Sequence, residues 1–107
     1  MKRNLLQPPL DWTIILKALA DESRLQIIHK LLHGEISVNV LSDSLGLKIY
    51  NVSRHLKILE NSVLVEKRKE GNLRIYRISK SLISHFSHDK QVLDLGCCQF
   101  KFKGFQK

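Results

Sequence analysis

Apolar residues recur every three to four positions through the first third of the chain, and this spacing predicts two helices. The first, LDWTIILKALA (10–20), is apolar on nearly every side, so it must be covered almost completely in the folded protein. Asp21 is placed to cap the second helix, which is predicted to run to about His33 and to stop at Gly34. Because a chain of 107 residues buries proportionally little surface, we expect a second subunit to supply part of the cover.

Two further helices are predicted, separated by a glycine. Ser37 is placed to cap a short third helix that ends at Gly46, and a fourth helix is predicted from about Ile49 to Asn61. The fourth helix has apolar residues at intervals of four and three, while its other faces are polar and basic. Two short helices around a glycine-containing turn, the second of them basic, are typical of a helix-turn-helix, whose second helix fits the major groove of DNA.

The hydrophobic period changes from about four to two after the fourth helix. Residues 64–69 and 73–78 flank a Glu70-Gly71-Asn72 turn, and this pattern predicts a two-stranded hairpin. A basic hairpin directly after a helix-turn-helix is typical of the wing of a winged-helix domain.

The last part of the chain has weaker patterns. Ser79 or Ser81 is placed to cap a last helix over roughly 81–89, and the tail FKFKGFQK (100–107) fits either an edge strand or a loose basic tail. The predicted fold class is therefore mainly α with a small β-hairpin, a dimeric winged helix-turn-helix of the order α-α-α-α-β-β-α.

The length of the chain predicts a single domain over residues 1–107, with a core at about 10–89 and a C-terminal extension at 90–107. The helix at 10–20 and the segment 81–100 are predicted to form the dimer interface. The apolar residues that the second of these regions offers are Leu82, Ile83, Phe86, Val92, Leu93 and Leu95.

Positive charge is concentrated in one third of the chain. The formal net charge is +8, and residues 48–80 alone hold nine Lys or Arg against three Glu. Residues 1–47 hold five of each sign. Such a patch is the electrostatic footprint of a polyanion, most often nucleic acid, and a charged face kept for solubility is the alternative.

Four segments of the sequence together resemble the ArsR/SmtB repressors, in the family's order and at its spacing. They are ALADESRLQII (18–28), SVNVLSDSLGL (37–47), NVSRHLKILE (51–60) and LVEKRKEGNLRIYRIS (64–79). The resemblance implies a dimeric winged-helix repressor that a metal, a metalloid or an oxidant releases from its operator. Because two subunits present two recognition helices, a palindromic operator in double-stranded DNA is expected.

The sequence departs from the family at three places. Where the family has metalloid-binding cysteines on the third helix, this chain has Ser37 and Asn39, so that thiolate site is absent. Lys48 replaces the usual Ser that caps the recognition helix, and Val63 replaces the usual Gly after it. Lysine at a helix N-terminus opposes the helix dipole but favours a nearby phosphate.

The resemblance also implies which residues contact DNA, with ordinary solvent-facing helix residues as the alternative. In the recognition helix the base-reading face would comprise Lys48, Tyr50, Asn51, Arg54 and His55. Ser53 and Lys57 would hold phosphates. The hairpin would carry four further cations towards the phosphates: Lys67, Arg68, Lys69 and Arg74.

The stretch VLDLGCC (92–98) is similar to the first motif of S-adenosylmethionine-dependent methyltransferases. That interpretation is rejected, because Cys98 replaces the second glycine of the motif and no alternation of strands and helices precedes it. Cys97 and Cys98 are therefore either an effector site for arsenite or another thiophilic ion, as in some relatives, or residues that pack the C-terminal segment. No cofactor is required.

The histidines do not predict a metal site. His85, His88 and Asp89 lack the spacing of the family's zinc-type site, and His29 and His33 have no third ligand nearby in the sequence. All are interpreted as surface residues.

The sequence contains no motif of an enzyme, no apolar run long enough for a membrane span and no signal peptide. We therefore expect a cytoplasmic, non-enzymatic protein. A winged helix that docks RNA or another protein without an effector is the alternative function.

Overall fold

The computed structural model describes residues 11–95 and 98–103 of the chain. Its first part contains four helices, α1 (Trp12–Leu19), α2 (Glu22–Leu31), α3 (Val38–Leu45) and α4 (Ile49–Asn61). The predicted caps of α2 and α3 are confirmed, since Asp21 and Ser37 each accept a hydrogen bond from a backbone N–H in the first turn.

The predicted hairpin is confirmed as strands β2 (Val65–Glu70) and β3 (Leu73–Ile78), which pair antiparallel over their whole length. A short strand, β1 (Ile36–Ser37), pairs with the other edge of β3, so that the sheet order is β1-β3-β2. The sequence did not predict β1, because two residues are too few to establish an alternation.

The predicted helix over 81–89 is wrong beyond its first turn. Helix α5 spans only Lys80–Ile83, and the chain continues as three short strands, β4 (Phe86–Ser87), β5 (Val92–Asp94) and β6 (Gln99–Lys101). These form an antiparallel sheet in the order β4-β5-β6. The serines, histidines and aspartate of this segment are poor helix formers, so strand pairing and burial of Phe86 against the core prevail over the helical spacing.

The C-terminal sheet shares the core of the helices. The buried side chains of the C-terminal segment, from α5 to the end of the sheet, belong to the same hydrophobic cluster as those of α1 to α4: Leu82, Phe86, Leu93, Leu95 and Phe102. The prediction that this segment supplies the dimer interface is therefore wrong for Leu82, Phe86, Leu93 and Leu95, which are buried within their own subunit.

The end of α4 shows why a glycine is usual at position 63. Val63 N–H donates to Glu60 O and Leu64 N–H donates to Leu59 O, both at 3.0 Å, which is the Schellman arrangement. This arrangement requires a left-handed residue, and Val63 adopts φ 63°. Its β-branched side chain makes that conformation strained.

We expect Val63→Gly to raise the free energy of unfolding by about 1 kcal/mol, because it removes this strain. Val40 is a matched control, since it is as exposed as Val63 (55% against 54%) but lies inside α3. Val40→Gly should lower stability by about 0.5 kcal/mol through helix propensity. Urea unfolding at a fixed protein concentration measures both, and a loss of stability in Val63→Gly would contradict the assigned strain.

Candidate nucleic-acid interface

Helices α3 and α4 form the predicted helix-turn-helix. Gly46 ends α3 with φ 66°, a left-handed conformation that glycine adopts without strain, and α4 begins three residues later. Helix α4 packs through one stripe whose members are fully buried: Val52, Leu56 and Leu59. Its opposite face is consequently presented to solvent along the whole helix.

The candidate base-reading residues lie together at the start of α4. Lys48, Tyr50, Asn51 and Arg54 are all exposed, and Tyr50 is exposed over 69% of its surface. The Arg54 guanidinium carbon lies 5.8 Å from the centre of the Tyr50 ring, a cation–π contact that joins neighbouring turns of the helix. The tyrosine thus restrains the arginine on the face that is predicted to enter the groove.

Two other predicted contacts, Ser53 and His55, are half-buried and engaged within the protein. Ser53 Oγ accepts a hydrogen bond of 3.4 Å from Arg74 Nη2, which joins α4 to strand β3. His55 Nδ1 lies 3.3 Å from Nη1 of Arg24 on α2. These two side chains connect the recognition helix to the rest of the fold.

The pleat of the hairpin sorts its charges onto two faces. Residues directly opposite each other on paired strands share a face, and Lys67 lies opposite the buried Tyr76 while Lys69 lies opposite Arg74. Since Arg74 contacts α4, these three cations lie on the same face of the sheet as the recognition helix.

The other face of the hairpin is charge-compensated. Arg68 donates hydrogen bonds to Glu35 at 3.0 Å and to Glu70 at 2.6 Å, and Arg77 donates to Glu66 at 2.9 Å. The hydrogen bond from Arg68 lowers the pKa of Glu35, and the same bond, with that to Glu70, raises the pKa of Arg68. Arg68 is therefore placed apart from Lys67, Lys69 and Arg74.

Lys48 leaves the start of α4 without a side-chain cap, as its position predicts. We expect Lys48→Ser to raise the free energy of unfolding by about 1 kcal/mol, because serine accepts a backbone N–H bond and no longer opposes the helix dipole. The same change should weaken operator binding, because it removes a cation from the predicted base-reading face.

Lys57→Ser is the control for this substitution, since Lys57 is exposed inside the same helix, away from the cap. It should weaken duplex binding without any gain in stability. Unfolding and salt-dependent binding measurements on both variants separate the two effects, and equal stability changes would contradict the role of the cap.

Cys98, His85 and His88 belong to the C-terminal segment, and His29 packs against it. Cys98 is half-buried and packs against the core, and its carbonyl oxygen accepts a 2.9 Å hydrogen bond from Leu95 N–H. Cys97 lies outside the described residues. His29 stacks on Phe102 with ring centres 5.2 Å apart, and burial lowers the pKa of His29.

The structure brings no set of three metal-ligating side chains together within residues 11–95 and 98–103. His85 instead forms a T-shaped ring pair with Trp12, and His88 forms one with Phe86. In the same part of the chain, every helix is too short or too polar to cross a bilayer.

Sequence reasoning missed two residues of this region, Arg24 and Glu35. Their partners His55 and Arg68 lie 31 and 33 positions away, and no local pattern signals such contacts. Only the packing of α2 and β1 against α4 and the hairpin brings them together.

Sequence comparison connects this geometry to known regulators. The sequence model of the arsR family of bacterial regulatory proteins matches residues 21–67, from the cap of α2 into β2. The cadmium resistance transcriptional regulatory protein CadC homolog of Staphylococcus aureus is 32% identical over 96 residues, which cover 84% of this chain and 79% of that protein. The chain belongs to the ArsR family. It is accordingly a DNA-binding transcriptional regulator and not an enzyme.

A second relative, the arsenical resistance operon repressor of Staphylococcus xylosus, is 31% identical over 78% of this chain and 83% of its own length. Among solved structures, reduced HlyU from Vibrio cholerae is 40% identical with a TM-score of 0.64, covering 67% of this chain and 76% of that one. HlyU is described as a transcriptional activator.

The homodimeric winged helix-turn-helix DNA-binding domain Mb0332 from Mycobacterium bovis also matches this ArsR-family chain, with 34% identity and a TM-score of 0.64 over 68% of each chain. These matches confirm the predicted winged helix-turn-helix.

Proposed function

We propose that this ArsR-family protein is a homodimeric transcriptional repressor of a palindromic operator. The observation that carries the proposal is that the exposed residues of α4 lie on one side of the protein with Lys67, Lys69 and Arg74, the hairpin cations that form no ion pair with a described residue. A groove-reading helix flanked by phosphate-binding cations is the arrangement that duplex DNA requires.

The sorting of charges supports a revised assignment of contacts. Lys48, Tyr50, Asn51 and Arg54 are proposed to read bases, because they are exposed at the start of α4. The phosphate contacts are proposed to be Lys57, Lys67, Lys69 and Arg74, and His55 is proposed as a further hydrogen-bond donor to the duplex. Arg68 is proposed to have a structural role in the wing, because Glu35 and Glu70 compensate its charge.

The dimer is proposed to form through α1. Ile14 and Leu16 remain 48% and 38% exposed on this helix, and large apolar side chains at that exposure favour cover by a second subunit. The matching domain Mb0332 is homodimeric. Two recognition helices related by a two-fold axis would contact half-sites about one helical turn apart.

Selection from a random duplex library tests this function. We expect enrichment of a palindrome, bound by the dimer with an affinity that falls steeply as salt increases. Enrichment of no palindrome, or equal binding to single-stranded RNA, would contradict the proposal and favour a docking winged helix.

Cys97 and Cys98 are proposed as the effector site. Soft thiolates bind thiophilic ions, and the names of two relatives associate them with cadmium and arsenical resistance. Contact between Cys98 and the core and stacking of Phe102 on His29 of α2 support a route from this site to the helices. A difference of about 1–3 kcal/mol in operator-binding free energy between the effector-free and effector-bound protein would suffice for a switch.

We expect arsenite, zinc or peroxide to lower operator affinity of the wild-type protein by about 5–150-fold, with no response when both cysteines are replaced by serine. Titration of the protein–operator complex with each reagent measures this effect. If none of the three shifts binding, Cys97 and Cys98 serve packing alone.

A further inference from the structure

Arg24 connects three helices through one guanidinium group. Its Nε donates a 2.5 Å hydrogen bond to Ala18 O in the last turn of α1, and its Nη1 lies 3.3 Å from His55 Nδ1 on α4. The same Nη1 lies 3.9 Å from the carboxylate of Asp21, the cap of α2. The Arg24 side chain is only 15% exposed, so these contacts form largely away from solvent.

Resting on the proposed function, we propose that Arg24 is a positioning residue of the DNA-binding site, which holds His55 of the recognition helix in a single tautomer. A guanidinium has five N–H donors and no acceptor, and it stays protonated in proteins. The 3.3 Å contact therefore requires His55 Nδ1 to accept a hydrogen bond. The ring proton must then lie on Nε2.

The fixed tautomer determines what His55 can offer to DNA. With Nδ1 engaged by Arg24, the ring keeps one donor, Nε2–H, and has no acceptor left for a base or a phosphate. It can therefore bind a phosphate oxygen or a base acceptor, but it cannot recognise an amino group of a base. His55 thus contributes a hydrogen-bond donor of fixed direction.

The Asp21 carboxylate lies beside the same guanidinium group. Burial opposes ionisation of Asp21, but the hydrogen bond from the Arg24 backbone N–H and the charge of the Arg24 guanidinium outweigh it, so the pKa of Asp21 lies below its ordinary value. The Asp21 carboxylate thus compensates Arg24. An imidazolium at position 55 would place a second cation beside Arg24 and would lose the acceptor at Nδ1.

The hydrogen bond from Arg24 to Ala18 also connects the recognition helix to α1. Ala18 belongs to α1, the helix proposed to form the dimer interface, so Arg24 joins that interface to the recognition helix through two hydrogen bonds. A rotation of α1 against its partner would therefore move His55 as well. Such a chain of direct contacts is the physical means by which a subunit rotation reaches the DNA.

Nitrogen-15 NMR of the imidazole groups in the wild-type protein tests the tautomer without DNA. We expect His55 to show a protonated Nε2 and an unprotonated Nδ1, and Arg24→Met to convert it to a mixture of tautomers. Arg77→Met is the matched control, because Arg77 lies on the other face of the hairpin and bonds to Glu66. It should leave the His55 signals unchanged. A proton on Nδ1 in the wild type would overturn the proposal.

Operator-binding measurements provide a second test of the role of Arg24. Arg24→Met and His55→Ala should each weaken operator binding roughly tenfold. The double variant should lose no more affinity than the more affected of the two single variants. Fully additive losses would show that Arg24 does not act through His55. Arg24→Gln, whose amide can either donate to or accept from the imidazole and so fixes neither tautomer, should show the same mixture if Arg24→Met fails to fold. If the wild-type protein selects no duplex, the proposed function is refuted. The NMR measurement tests the Arg24–His55 contact independently of that result.

Discussion

Replacement of Leu93 by alanine is expected to lower the free energy of unfolding by about 2–5 kcal/mol, the largest effect of any single change considered for this protein. Leu93 is fully buried and lies opposite Phe86 in the C-terminal sheet, within the same hydrophobic cluster as the helices. The substitution removes apolar contacts and leaves a cavity that the surrounding core fills only in part. Urea unfolding measures the loss.

Lys101→Ala is the control for Leu93→Ala, because Lys101 is an exposed residue of the neighbouring strand β6. It should change stability by no more than about 0.5 kcal/mol. A single unfolding transition in both variants is expected if the chain folds as one domain. A loss below about 1 kcal/mol in Leu93→Ala, or a separate early transition, would contradict a shared core.

Arg54→Ala is expected to cost about 1–3 kcal/mol in operator binding and to relax the preference for one base pair in each half-site. Arginine can bond guanine through two parallel hydrogen bonds, and Arg54 is exposed near the start of the recognition helix. The contact with Tyr50 limits the directions that its guanidinium can take. Binding to random duplexes should change far less than binding to the operator.

Lys69→Ala is the comparison for Arg54→Ala. Lys69 lies opposite Arg74 on the face of the hairpin that faces α4, and it is proposed to neutralise a phosphate. Its loss should weaken binding to all sequences alike and reduce the salt slope by about one. Competition assays with operator and random duplexes at several salt concentrations distinguish these patterns. Identical behaviour of the two variants would contradict the assignment of base and phosphate contacts.

The features that could be predicted from the sequence are those whose cause is local. Helix α4 begins and ends where the apolar spacing places it, and Asp21 and Ser37 cap their helices as predicted. Each depends on residues within a turn or two of one another, where period, capping and turn chemistry act directly. The same local signals, together with the concentration of positive charge, were sufficient to predict a DNA-binding winged helix.

Features that depend on distant partners appeared only in the folded chain. The spacing around Phe86 fits a helix, yet the segment forms a sheet because pairing with Leu93 buries both side chains in the core. The hairpin's cations look equivalent in the sequence, but the pleat and Glu35 separate Arg68 from Lys69. The contact between Arg24 and His55 spans 31 positions, and only the packing of α2 against α4 creates it. Local periodicity carries no information about such contacts, since they depend on how whole elements pack.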